Sequence, residues 1–189
     1  MNDFAIYFQL GWEHIISLDA LDHLLFIAVL TCIFSPKEWQ KVLILVTAFT
    51  IGHSITLALS VFNVFSLPSK LVEILIPVTI LATSLHNLLR SKNENSNFNW
   101  QYLLALLFGF IHGMGFANTI RFMLSKEEKI LTPLLSFNLG LEAGQIVVVA
   151  LLFAINFILQ KTGLSNKYWR IFFSLLGVVG GVMMIIERL

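Results

Sequence analysis

Six stretches of this 189-residue chain are apolar for long enough to cross a bilayer, a crossing that takes about 17–25 helical residues for roughly 30 Å of hydrocarbon. They run Leu18–Phe34, Trp39–Phe62, Leu67–Leu89, Trp100–Leu124, Ile130–Leu159 and Tyr168–Ile186. The fifth is long enough to be tilted, or broken near Pro133. In lipid every backbone N–H and C=O needs an internal partner, and no segment alternates as a barrel strand does, so the spans are helices. The connections between them are short. The chain therefore reads as a single transmembrane domain over 1–189, an all-α integral membrane protein built as a bundle of six transmembrane helices. Residues 1–17 precede the first span. Their apolar side chains recur at helical spacing from Phe4 to Ile16, which predicts a short amphipathic helix, interfacial or folded back onto the bundle.

Composition agrees with lipid as the solvent. Hydrophobic residues make up 57% of the chain and charged residues 12%, against about 25% charged in a soluble domain. An ordinary cytosolic enzyme and a disordered chain are excluded. So is a nucleic-acid binder: the formal net charge is +1 and no basic run exceeds two residues. The single cysteine, Cys32, rules out a disulfide framework within the chain. Asp3 and Glu13 stand where a leader peptide would be basic, so the N-terminus reads as mature protein. Seven Lys and Arg residues fall on one side of the spans and five on the other. The positive-inside rule then places the N-terminus outside.

The informative residues are those that an apolar span should not contain. Asp19, Asp22, His23, His53, Glu73, His86, His112 and Glu142 all lie within the six windows. An ionisable group at the bilayer centre costs about 2.5–3.5 kcal/mol on insertion scales, and such groups face a partner or a watery cavity. No Lys or Arg lies mid-span, so these carboxylates lack a basic neighbour in the sequence, and a bound cation or protonation is the expected way to neutralise them. At about 1.5 Å per residue from the outer ends, His23, Glu73, His53, His112 and Glu142 form a stepped path to mid-membrane. Asp19, Asp22 and His23 share one helix turn, Asn138, Glu142 and Gln145 form one stripe, and Thr50, His53 and Thr56 are expected to face one partner. Imidazole with carboxylate suits a divalent first-row metal such as Ni, Co or Zn. Asp22, His23, His53, His112 and Glu142 are the expected metal ligands. His14, Asp19, Glu73, Asn138 and Gln145 are expected to line the path or support the ligands. His86, near the inner end of its span beside Asn87 and Arg90, is left aside. Gly109-xxx-Gly113, Gly140-xxx-Gly144 and the group Gly177, Gly180, Gly181 read as close helix contacts.

Four strings, in order, carry a family likeness: Asp22-His23-Leu24-Leu25-Phe26, Gly52-His53-Ser54-Ile55-Thr56, Phe108-Gly109-Phe110-Ile111-His112-Gly113 and Phe137-Asn138-Leu139-Gly140-Leu141-Glu142-Ala143-Gly144-Gln145. Together they resemble the HupE/UreJ membrane proteins over about Gly11 to Ala150. The resemblance implies a bacterial inner-membrane protein tied to hydrogenase or urease maturation, with metalloenzyme maturation proteins as partners and nickel as the permeant ion. It assigns Asp22 and His23 to the family's Asp-His pair and His112 to its histidine-glycine motif. His53 and Glu142 match segments of one branch. Hydrogenase-type members carry a histidine six residues before that Asp, whereas His14 stands eight before it.

Three functions fit these ligands: a divalent-metal permease, an intramembrane zinc-dependent hydrolase with Glu142 as general base, or an accessory or sensor subunit that presents a metal site. Permeation is the first reading. The nearly all-apolar inner halves of the spans argue for the other two.

Overall fold

The computed structural model describes residues 3–17, 20–90, 98–124 and 130–189; among them the chain forms α-helices and no strand. The helices are α1 (Asp3–Ile16), α2 (Leu21–Thr31), α3 (Trp39–Val61), α4 (Ser69–Leu89), α5 (Phe98–Leu124), α6 (Leu131–Lys161) and α7 (Asn166–Arg188). Asp19 and the polar connections 91–97 and 125–129 lie outside the described residues.

Four helices are long and apolar enough to cross a membrane: α3 with the turn ahead of it, α4, α6 and α7. α1 and α2 meet that test only as a pair, bent by 67°. In α5, whose helix runs Phe98–Leu124, the described apolar stretch is Gln101–Ala117. Among the described residues the candidate spans thus number four, or five with the bent pair counted as one, against the six expected from the sequence. The first expected span, Leu18–Phe34, contains only α2, and its 11 residues rise about 16 Å, half of what a crossing needs.

Of the two places open to the N-terminal helix, the structure takes the second. α1 lies along α6 with Tyr7, Gly11 and Ile15 buried, one residue per turn. A Cβ on Gly11 would collide with the Phe137 carbonyl, and one on Gly140 with the Phe8 carbonyl, so each glycine lets the other backbone approach. The Ser136 hydroxyl donates to the Phe4 carbonyl. Phe4, Phe8 and Trp12 thus meet Ser136, Gly140 and Gly144 in turn, and the two helices run parallel.

The same device joins α3 to α5, where Gly109 meets the Phe49 backbone and Gly113 meets His53 and Thr56, again in parallel. α4 and α7 are antiparallel: Gly177 abuts Ser84, Gly181 abuts Pro77 and Leu81, and Arg188 reaches Glu73. All three glycine groups expected from the sequence are helix contacts.

The ends follow local rules. Ser35 caps the turn Pro36–Glu38 in a capping box: its N–H donates to the Glu38 carboxylate at 3.1 Å, with Pro36 at the first position. Gly163, at φ +91, turns the chain out of α6, which few residues with a Cβ could do. α6 is not broken at Pro133. That proline sits in the first turn, where an N–H has no helical partner to lose.

Candidate metal centre

Helix packing carries four histidines from four helices to one point. His14 lies late in α1, His23 at the start of α2, His53 midway in α3 and His112 midway in α5. The His14 and His23 rings are 4.6 Å apart, His23 and His112 5.0 Å, and His14 and His53 6.1 Å, centroid to centroid. His53 and His112 are 0% and 1% exposed, which puts them beyond contact with solvent.

Hydrogen bonds fix which nitrogens face inward. His23 Nδ1 lies 2.9 Å from Asp22 Oδ1, which also accepts from the His23 backbone N–H at 2.8 Å. His112 Nδ1 lies 2.9 Å from the Phe108 carbonyl. A carboxylate and a carbonyl only accept, so in both rings Nδ1 carries the proton and Nε2 keeps its lone pair. Nε2 of His14, His23 and His112 is buried with no hydrogen-bond partner, and His53 is buried with the Asn138 amide as its polar neighbour. Each such orphan costs about 1–3 kcal/mol if left unmet.

His14, His23 and His53 each place a ligand nitrogen within 4.8 Å of the others. Metal–nitrogen bonds of about 2.1 Å in tetrahedral geometry set ligand nitrogens about 3.4 Å apart, so the rings need to close by up to about 1.4 Å. A carboxylate holding the far nitrogen of His23 is the support that metal-binding imidazoles usually have. The His112 ring packs behind them, 5.0 Å from that of His23, outside the group of three. Phe116 and Phe137 stack at 5.1 Å beside His14, and Phe26, Phe49 and Phe108 pack beneath His112 and His53.

A cavity of about 240 Å³ leads to the rings from the end of the bundle where α4 begins and α7 ends. Its wall includes Ser17, Asp22, Glu73 and Arg188 besides His14, His23 and His112. The absence of a basic neighbour for Asp22 holds only along the sequence: Arg188 Nη2 lies 3.6 Å from Asp22 Oδ2.

Of the expected ligands, Asp22, His23, His53 and His112 come together. His14, expected only on the path, stands with His23 and His53 in the group whose nitrogens lie within 4.8 Å of one another. Glu73 lines the same cavity. Glu142 does not join the cluster. It accepts from the Thr47 hydroxyl at 2.6 Å and lines a separate groove between α3 and α6 with Asn138. Gln145 is buried and accepts from Thr50 at 2.9 Å. Asn138, Glu142 and Gln145 are one stripe facing α3, as their spacing predicts. Thr50 and Thr56, however, turn to different neighbours, Gln145 on α6 and Gly113 on α5, because α3 is wedged between those helices. Exposed His86 sits near the far end of α4.

No curated protein and no solved structure shows a significant match to the chain. The family model described as HupE / UreJ protein matches residues 1–188, a span that takes in all four histidines of the cluster together with Asp22, Glu73 and Arg188. The chain belongs to the HupE/UreJ family.

Proposed function

We propose that this protein handles a divalent first-row transition metal, nickel, cobalt or zinc, as a membrane permease. The observation that carries the reading is the gathering of ring nitrogens of His14, His23 and His53 within 4.8 Å of one another inside an apolar bundle, with the buried Nε2 of His14 and His23 unpartnered. Structural histidines in lipid find a partner; these keep their lone pairs for something that arrives. The ion would come in through the cavity past Glu73 and Asp22, shed water, and be held by His14, His23 and His53 with His112 next to them. Imidazole without thiolate holds such an ion firmly enough to select it and loosely enough to release it.

Onward passage meets the packed rings of Phe26, Phe49 and Phe108. Those rings favour a second reading, in which the protein holds its metal for a partner in metalloenzyme maturation. The hydrolase reading is weaker, since Glu142, its general base, faces Thr47 in another groove.

The deciding experiment has two stages. Metal content is measured by mass spectrometry on untagged protein purified without chelator, beside the variants His53→Ala, Glu142→Gln and His86→Ala. We expect loss in the first and no change in the other two; equal content in all four would make the cluster structural. Radiotracer nickel uptake into proteoliposomes then separates the two readings: flux supports the permease, and binding without flux the metal-holding subunit.

A further inference from the structure

Asp22 has two carboxylate oxygens with different duties. Oδ1 is taken by the backbone and ring N–H groups of His23. Oδ2 is left to face Arg188 Nη2 at 3.6 Å, and both side chains are mostly buried, 16% and 27% exposed. The guanidinium is anchored on its other side, where Nη1 donates to the Glu73 carbonyl at 2.6 Å. It therefore spans from α7 across α4 to α2, in the wall of the cavity that leads to the histidines. Next to it, the Lys70 ammonium donates to the Leu189 carbonyl at 3.4 Å and ties down the end of α7.

An arginine stays protonated at any working pH. Here it supplies a permanent positive charge at a carboxylate in the wall of the cavity through which a cation would reach the histidines. A divalent ion held by His23, whose far nitrogen rests on that same carboxylate, would share Asp22 with the guanidinium at close range and in a poorly screened setting. The groups that face Arg188 are Asp22 from α2 and the Glu73 backbone from α4, with the Glu73 side chain on the same cavity wall.

Resting on the metal reading above, we propose that Arg188 is a tethered competing cation. It neutralises Asp22 while the site is empty and gives way when the metal binds, so it weakens the site and favours release. The role is that of a positioning residue: Arg188 acts on the metal through Asp22.

The test is nickel titration by calorimetry of the full chain in nanodiscs at pH 7.5. Arg188→Gln should bind Ni²⁺ about tenfold more tightly than wild type, and Arg188→Lys, which keeps the charge, should stay within about threefold. In an Asp22→Asn background the gain from Arg188→Gln should shrink below about twofold, because the contested carboxylate is gone. A merely structural Arg188 would weaken binding in both variants, and that result, or an unchanged affinity in Arg188→Gln, overturns the proposal while leaving the metal reading intact. A wild type that binds no Ni²⁺, Co²⁺ or Zn²⁺ overturns both.

Discussion

At the scale of single residues, Asp22 governs the chemistry of the centre without pointing at its middle. Its Oδ1 accepts from His23 Nδ1–H at 2.9 Å and so selects the tautomer that turns Nε2 inward. Asparagine can still accept that bond but brings no charge to make the ring more basic. Asp22→Asn should therefore lower nickel affinity by about 10–100-fold while the protein stays folded; calorimetry with circular dichroism checks both halves. His23, His53 and His112 are visible in the sequence because an ionisable side chain deep in an apolar window is costly and needs a reason. His14 is less visible. It lies near the end of a short segment, where the sequence alone also allows a solvated surface position.

At the scale of elements, the glycines decide which helices touch. In α1, Gly11 faces the Phe137 carbonyl so closely that even a methyl group collides with backbone, which cannot rotate away. Gly11→Ala should cost at least about 1–3 kcal/mol through overpacking and detach α1 from α6. Gly163→Ala makes the contrast. Nothing lies within 4 Å of its added Cβ, but φ is +91, so the cost is backbone strain alone, about 1–2 kcal/mol. Thermal unfolding in detergent should rank the two, with metal binding lost only in Gly11→Ala because that helix carries His14. The glycine pairs themselves were legible, since small residues four apart are where membrane helices approach. Gly11, standing alone, had no such spacing to mark it, and with it went the placement of α1.

At the scale of the whole molecule, the centre binds the bundle together, since its four rings come from α1, α2, α3 and α5. Metal that binds only the folded form should raise its stability, by about 2.7 kcal/mol at a hundredfold excess over Kd. The effect has a definite pH sense. Ligand imidazoles must be neutral, so protons compete with the metal for the ring nitrogens. The stabilisation should be largest at alkaline pH and shrink as acid protonates the rings; a melting-temperature series with Ni²⁺ taken stepwise to acid pH measures it. A stabilisation that grows on acidification would place the metal elsewhere.

Solvent, helices and the types of side chain available at the site are all readable along the chain. Long apolar windows demand lipid, lipid demands helices, and histidines without thiolates suggest the class of metal proposed above. These are local properties, written in composition and in neighbours a few residues apart. Packing alone reveals that α1 lies along α6, that His14 joins His23 and His53, that Glu142 turns to Thr47, and that Arg188 reaches Asp22. The physical reason is that a membrane helix is apolar on nearly every face, so its hydrophobic pattern does not say which face meets which neighbour. That choice is made by backbone-to-backbone fit at small residues far apart in the chain, and it carries the polar side chains with it.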